Sequence, residues 1–292
     1  MHYSPTKSEW VEDHADELRR NGMAYINIGS AVAGDTFHAS GSPPLYDILM
    51  KVLTRVGHPK NQIPLRELWG DQNLQGLGAG GDYGAFQHFA GVSSIDIGFS
   101  RLSETEKWVP QSCHDSFFQI SKTDPNFDYP LAMAQILALL ILELADASNM
   151  PFNMTTYAEY TTSRFADLRK FATDKATATK QKSLDFKPLE EAVELMQKNM
   201  PIFDDKINEW THPKDEPLIE FDGTVAAVHR ISHNARMANF EHHLLEEEGV
   251  WGRTWYKHVL VAPSVSTPAL SQFPKHISVF FIISNLEDPL WE

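Results

Sequence analysis

Two spacings of apolar residues alternate along the first half of the chain, and this alternation predicts an α/β fold. Residues 24–28 and 93–99 are short, largely apolar runs, and each predicts a buried strand. Apolar residues at helical spacing occupy three other segments, residues 9–21, 43–56 and 82–90. The alternation of helix and strand favours a mostly parallel sheet with helices on both faces.

The second half of the chain is predicted to be almost entirely helical. Residues 130–147 are apolar nearly all round, which is typical of a buried helix. Three amphipathic helices follow, at residues 157–173, 184–209 and 224–247. We therefore expect a domain boundary near Met150, with an α/β domain before it and a helical domain after it.

Charge and composition exclude some partners. The 292-residue chain has 25 Lys and Arg against 39 Asp and Glu, a net charge of -14 at pH 7. This balance argues against a broad nucleic-acid-binding surface and against an anionic membrane surface. The longest apolar run in the helical pattern, residues 136–142, is too short to cross a bilayer, so no transmembrane segment is expected. The chain opens on a polar run without a signal peptide, and its single cysteine, Cys113, leaves the compartment undetermined.

His114 is the first candidate for metal chemistry. It stands in the sequence S-C-H-D-S, where the neighbouring Asp115 could orient its imidazole. A lone histidine is more often structural or solvated than a ligand. The residue type by itself therefore gives little support for a metal at His114.

Residues at helical spacing form a second group of candidates within the predicted helix 224–247. Side chains four residues apart share a helix face and could hold a metal, but a solvated face is the favoured interpretation. The histidine pair in this group lacks the intervening glutamate of a zinc-peptidase helix. The candidates are His242 with Glu246, His243 with Glu247, and His229 with His233.

Several segments of the chain carry a family resemblance. S-E-W-V-E-D and R-R-N-G-M-A-Y-I-N resemble the region just after the catalytic glutamates of a peptidase family, and G-L-G-A-G-G-D-Y-G-A-F-Q-H-F-A-G-V-S-S-I-D-I-G-F resembles its glycine-rich loop and next strand. C-H-D-S-F corresponds to its zinc-histidine motif Y-H-S-x-Y, and W-Y-K-H-V-L-V-A-P-S resembles its segment F-Y-R-H-V-I-Y-A-P. The family is that of glutamate carboxypeptidase II and the transferrin receptor, which contains co-catalytic zinc peptidases and inactive relatives. The similarity extends from residue 8 to residue 274.

The resemblance implies an architecture and a partner. The expected fold is part of a zinc-exopeptidase-like three-layer α/β sandwich over residues 1–150, followed by an all-α transferrin-receptor-like dimerisation domain over residues 151–274. Residues 275–292 depart from the family pattern as a divergent tail. A homodimer formed through the helical domain is the partner that the family implies. Family members are commonly membrane-anchored with the domain outside the cytosol, and no anchor is seen in this chain.

The resemblance also implies a damaged metal site. The zinc-binding aspartate of the family's Y-I-N-x-D motif falls on Gly29, and His114 is the one zinc ligand that is matched. The other ligands and the general-base glutamate would lie upstream, so a truncated product or a C-terminal fragment is expected. One imidazole cannot hold a zinc pair, and no catalytic residue is assigned. Glu9 and Glu12 match two carboxylates of a structural calcium site in the family, with a solvated pair on a helix as the equal alternative.

Two functional classes remain open. The favoured one is a catalytically inactive homologue with a dimerising or scaffold role, because Gly29 lies inside the matched region. The alternative is a zinc exopeptidase, either a carboxypeptidase or an aminopeptidase, of which this chain is the C-terminal half. The family's substrate-binding Lys-Tyr is replaced near Thr267 and Pro268, so glutamate-specific recognition is not supported.

Overall fold

The computed structural model describes residues 5–29, 31–70, 72, 74–78, 81–100, 116–179, 185–211, 222–249 and 254–261. A small sheet and a set of helices make up these residues. The strands are β1 (Tyr25–Asn27), β2 (Thr36–Gly41) and β3 (Ser94–Ser100). The α-helices are α1 (Pro5–Asp13), α2 (Ala15–Asn21), α3 (Tyr46–Arg55), α4 (Leu65–Trp69), α5 (Phe117–Thr123), α6 (Asp128–Asp146), α7 (Met154–Thr179), α8 (Lys187–Thr211) and α9 (Asp222–Ala238). Three short helical turns complete the list, at Pro43–Leu45, Ala85–Ala90 and His242–Leu244.

The sheet is mixed, with β3 between β1 and β2. Strand β1 runs parallel to β3, with Ile26 opposite Ile95. Strand β2 runs antiparallel to β3, with Phe37 opposite Phe99. The prediction of a mostly parallel sheet is wrong for β2, which the sequence pattern missed because its inward positions carry one large side chain, Phe37, beside an alanine and a glycine.

The main core lies on one face of this sheet. Ile95, Ile97 and Phe99 of β3 are at most 1% exposed, and they belong to one buried cluster with residues of α3 and α6. The ring of Phe99 meets Tyr129 of α6 edge to face, with centroids 5.1 Å apart. This packing fixes β3 against the helical part of the chain.

A second, smaller cluster lies on the opposite side of β1. Val11 of α1 and Val92 belong to it, and Tyr25 packs against it while the adjacent Ile26 packs against the main core. The Tyr25 ring stacks on Phe86 with centroids 3.8 Å apart. Successive strand residues point to opposite faces, so helices cover β1 from both sides, as the sequence predicts.

Two predicted helices differ from the observed ones. The predicted helix 9–21 is divided into α1 and α2 at His14, whose backbone leaves helical geometry at φ -107° and ψ 13°. The predicted helix 224–247 ends nine residues early, because α9 stops at Ala238 and a short turn at His242–Leu244 follows. Neither break occurs at a glycine or proline, so the sequence contained no strong signal for it.

Helix α6 is buried on one side only, which corrects the prediction of a fully buried helix. Ile136 and Leu140 are buried against the main core, whereas Leu131 and Leu142 are 57% and 54% exposed. Its length and apolar composition meet the minimum for a membrane span, and about a third of the apolar stretch is buried inside the fold. Core helices of ordinary domains meet the same minimum, so α6 is weak evidence for a membrane segment.

Candidate functional site

The end of strand β1 is where the sequence comparison places a metal ligand. Gly29 lies two residues beyond β1 and is exposed. Its backbone lies outside the left-handed region, and a Cβ atom there would meet the Asn27 amide at 3.4 Å, an ordinary contact. Neither backbone strain nor crowding of a Cβ atom therefore requires glycine at this position.

A hydrogen-bonded pair of side chains holds the polar face of the sheet beside Gly29. Asn27 and Asp96 are register partners on β1 and β3. Asn27 Nδ2 donates to Asp96 Oδ1 at 2.6 Å, and Asn27 Oδ1 accepts from the Tyr25 hydroxyl at 3.3 Å. Asn27 is 8% exposed, so its amide is fixed in one orientation next to the strand end.

A titratable pair completes this face of the sheet. Burial raises the pKa of Asp96, and the Asn27 hydrogen bond and the His38 imidazole oppose that rise. Burial lowers the pKa of His38, with the Asp96 charge opposing it. Within the described residues, His38 Nδ1 is buried and has no hydrogen-bond partner. Both shifts favour neutral side chains, which suits a polar face that is largely removed from water.

Tyr25 is held in its protonated form at the same place. Burial raises its pKa to about 12, and the nearby carboxylates of Asp82 and Asp96 add to the rise. Its hydroxyl is therefore a hydrogen-bond donor at neutral pH and orients Asn27. The cluster of Tyr25, Asn27, Asp96 and His38 orients side chains, and its one carboxylate, that of Asp96, is bonded to Asn27, while position 29 carries no side chain.

The predicted calcium ligands lie on α1. Glu9 and Glu12 are both exposed and three residues apart. Glu12 Oε1 accepts a hydrogen bond from Trp255 Nε1 at 2.5 Å, which ties α1 to the segment 254–261. The calcium role of this pair stays a prediction, and the structure adds an indole partner for Glu12.

The zinc pair implied by the family does not fit the side chains that the structure describes. These residues contain no group of three or more His, Cys, Asp or Glu side chains arranged to hold a metal ion. Gly29 provides no ligand, and a zinc ion needs about four. His114 and the tail 275–292 lie outside the described residues, so His114 as a ligand stays a prediction.

The histidine and glutamate pairs predicted on one helix are not arranged that way. His242 and His243 lie in the short turn after α9, and Glu246 bonds through its backbone to Lys257. The i, i+4 interpretation of these pairs is therefore wrong, because α9 ends before them. His233 is buried on α9 with its ring stacked on Phe203 at 4.1 Å, which is the structural role of a core histidine.

A fully buried ionisable pair was not predicted. Glu241, in the turn after α9, is 1% exposed and His258 is 0% exposed. His258 Nε2 lies 2.5 Å from Glu241 Oε2, and the Tyr157 hydroxyl donates to the same oxygen at 3.2 Å. His258 Nδ1 accepts the Leu260 N–H, so the ring proton is on Nε2 and is donated to Glu241. This cluster joins α7, the turn after α9 and the segment 254–261.

Some signals for these residues are present in the sequence. Asp96 interrupts an otherwise apolar strand, and a charged residue at such a position is either paired or functional. His258 stands between aromatic and aliphatic residues in W-Y-K-H-V-L-V, which is a comparable signal. His38 gave no signal, because the strand that carries it was not predicted.

Known proteins resemble this chain over most of its length. Residues 184–276 match the transferrin receptor-like dimerisation domain family. The chain is 31% identical over 264 residues to the probable glutamate carboxypeptidase LAMP1 of Arabidopsis thaliana, which covers 88% of this chain and 35% of the relative. It is 29% identical over 276 residues to the probable glutamate carboxypeptidase AMP1 of the same plant, covering 91% and 36%. It is 24% identical over 274 residues to the inactive zinc metalloprotease C354.09c of Schizosaccharomyces pombe, covering 91% and 32%.

These similarities place the chain among the homologues of metallopeptidases that have a dimerisation domain. The chain belongs to the family of glutamate carboxypeptidase II and the transferrin receptor. It spans about a third of the length of the relatives it matches. The family resemblance seen in the sequence motifs is therefore confirmed.

Proposed function

We propose that this chain is a non-catalytic homologue of the co-catalytic zinc exopeptidases, with a dimerising scaffold role. The observation that carries the proposal is Gly29. The strand before it is formed, Asn27 two residues earlier is fixed by Asp96, and the backbone would accept a Cβ atom. The expected carboxylate is therefore absent because the sequence has glycine at this position. The local backbone does not require that glycine.

The names of the relatives do not decide between an active and an inactive member of the family, so the proposal rests on Gly29. One relative, from Schizosaccharomyces pombe, is named an inactive zinc metalloprotease. Hydrolysis by two zinc ions needs ligands for both ions and a general base. With Gly29 in place of a carboxylate, the residues at the strand end cannot provide their share of that set.

The scaffold role rests on the helical part of the chain. Residues 184–276 match a dimerisation domain family and include α8, which packs along α9 and also along α7, the helix just before the matched range. We propose that residues 1–150 form part of a three-layer zinc-exopeptidase-like sandwich, that residues 151–274 form the dimerisation domain and that residues 275–292 form a divergent tail. The helices on both sides of β1 support the layered arrangement.

Light scattering coupled to size-exclusion chromatography tests the scaffold role. A homodimer has twice the chain mass of 33.0 kDa. The proposal predicts this mass across a range of protein concentrations. A monomer at every concentration would contradict the dimerising role and leave the dimerisation domain without its expected partner.

A second candidate is a zinc exopeptidase of which this chain forms the C-terminal half. The names of the two plant relatives favour it, since both are probable glutamate carboxypeptidases. The two candidates differ in metal content, because an exopeptidase of this type holds two zinc ions and cleaves peptides. Gly29 favours the non-catalytic proposal over this one.

A further inference from the structure

A pocket separate from the strand end lies between α7 and the loop at residues 74–78. Its volume is about 110 Å³. Pro43, Tyr46, Leu74 and Gln75 line one wall, and one face of α7 lines the other. Neither Gly29 nor any residue of the Asn27 cluster contributes to it, so the pocket has no part in the damaged metal site.

The α7 wall presents polar groups at helical spacing. Thr156, Tyr160 and Ser163 bring three hydroxyl groups to the pocket. Residues three or four positions apart share a helix face, so these groups and Arg164 point to the same side of α7. Hydroxyl groups both donate and accept hydrogen bonds, which suits a small polar ligand.

Arg164 is the strongest donor in the pocket. Its Nε is buried and has no hydrogen-bond partner among the described residues. Its Nη1 lies 3.4 Å from Asp167 Oδ2, and its guanidinium lies 5.1 Å from the centre of the Tyr160 ring. A buried donor without an acceptor is costly, and a guanidinium pairs best with a carboxylate. Asp167 pairs with Nη1 alone, so the guanidinium keeps further donors that suit a carboxylate in the pocket.

Glu159 brings the opposite charge to the same pocket. It is exposed and lines the opening, and no ion pair to it is formed within the described residues. One arginine, one glutamate and the apolar surface of Pro43 and Leu74 together complement a ligand that has a carboxylate, an ammonium group and an apolar side chain. A free α-amino acid has these three parts.

The size of the pocket fits such a ligand. One water-sized group needs roughly 10–15 Å³ of cavity volume. A pocket of 110 Å³ therefore accommodates roughly seven to eleven non-hydrogen atoms. Leucine, with about nine non-hydrogen atoms, lies within that range. We propose that this pocket binds a free α-amino acid with an aliphatic side chain, with its carboxylate on Arg164 and its ammonium group on Glu159.

The pocket is shaped by a close approach at its floor. A Cβ atom at Gly76 would lie 2.7 Å from the Tyr160 hydroxyl, so glycine allows the ring its observed position. Tyr160 is also packed edge-on against Tyr157, with centroids 6.4 Å apart, and Tyr157 bonds to the buried Glu241. The floor is therefore anchored to the buried cluster and is preformed.

Isothermal titration calorimetry of the full chain with L-leucine tests the proposal. We expect saturable binding with one leucine per chain. Leucinamide lacks the carboxylate and N-acetyl-leucine lacks the ammonium group, and each should bind about tenfold more weakly or worse. Absence of leucine binding would overturn the proposal, and so would equal binding of either analogue.

Two variants assign the charged groups, and a third serves as the control. Arg164→Gln and Glu159→Gln should each weaken leucine binding by about tenfold or more. Arg169→Gln on the same helix should leave it unchanged, because Arg169 pairs with Glu190 and does not line the pocket. Unchanged leucine affinity in both pocket variants would contradict the assignment. Zinc content and peptide cleavage play no part in these readouts, so the result is independent of the proposed function.

Discussion

Glu241 and His258 form a buried pair in which the imidazole Nε2 lies 2.5 Å from the carboxylate Oε2. Both side chains are at most 1% exposed. The two residues belong to different segments, the turn after α9 and the segment 254–261. The pair therefore fastens the end of the described chain to the helices, with Tyr157 as a third partner.

Removing His258 should destabilise the fold strongly. His258→Ala leaves the Glu241 carboxylate buried with a weaker set of partners, which typically costs about 3–5 kcal/mol. Urea unfolding followed by circular dichroism measures the loss. His243→Ala is the matched control, because His243 is exposed in the neighbouring turn and should change stability by about 0.5 kcal/mol or less. An equal loss of unfolding free energy in the two variants would show that the buried pair does not stabilise the fold.

The same pair should make stability depend on pH in the acid range. Burial would raise the pKa of Glu241, but hydrogen bonds led by that from His258 bring it below its usual 4.5. A carboxyl whose folded pKa is depressed adds stability that is fully present above its unfolded pKa and is lost as the pH falls through its folded pKa. Wild type should therefore lose stability below pH 4.5.

Glu241→Gln separates this contribution from those of other carboxyl groups. The variant lacks the titrating group, so its stability should fall less steeply than that of wild type on acidification. Urea unfolding of both proteins between about pH 3 and pH 6 measures the difference. Parallel stability curves for the two proteins would exclude Glu241 as the source of the acid sensitivity.

Asn27 should control the ionisation of Asp96. The Asn27 amide donates to the Asp96 carboxylate and thereby lowers a pKa that burial raises. Asn27→Leu removes this donor, so the pKa of Asp96 should rise further above 3.8. A carbon-13 NMR titration of the carboxyl group reports it. Asn21→Leu, at an exposed position, is the control, and a fall in the Asp96 pKa in Asn27→Leu would refute the assigned role.

Two leucines on α6 should respond differently to the same substitution. Leu140 is 2% exposed and faces the main core, whereas Leu142 is 54% exposed. Leu140→Ala should cost about 2–5 kcal/mol through lost burial and a residual cavity. Leu142→Ala should change stability by about 0.5 kcal/mol or less. Thermal unfolding compares the pair, and a large cost for Leu142→Ala would mean that a partner covers the outer face of α6.

Local patterns were sufficient for much of the fold. The β-branched residues Ile26, Ile95 and Ile97 marked two of the strands, and the long apolar periodicity marked α6 and the helices after it. Strand β2 was missed because two of its three inward positions, Ala39 and Gly41, carry small residues that weaken the apolar alternation. The outer face of α6 was misjudged because apolar composition shows what a helix can bury, while the neighbouring elements decide what it does bury.

The candidate site depended on contacts that local patterns do not contain. Gly29 could be identified as the position of the missing ligand because the adjacent residues Tyr25, Ile26 and Asn27 match the family motif. Asn27 and Asp96 are 69 residues apart and meet only because β1 and β3 pair in one register. Glu241 and His258 likewise contact each other because α9 ends before Glu241. No glycine or proline at that break predicts it. Contacts between elements depend on the tertiary structure. The sequence could therefore indicate individual residues of the site but not which of them contact each other.

Metal analysis combined with a peptidase assay tests the central claim most directly. Purified wild type is equilibrated with zinc, its zinc content is measured by mass spectrometry, and its cleavage of peptides is followed, with Gly29→Asp treated in parallel. We expect no cleavage by either protein and no zinc pair in wild type. Gly29→Asp should remain inactive, because one added carboxylate does not complete the roughly four ligands that each zinc needs. Two zinc ions per wild-type chain together with peptide cleavage would contradict the non-catalytic account.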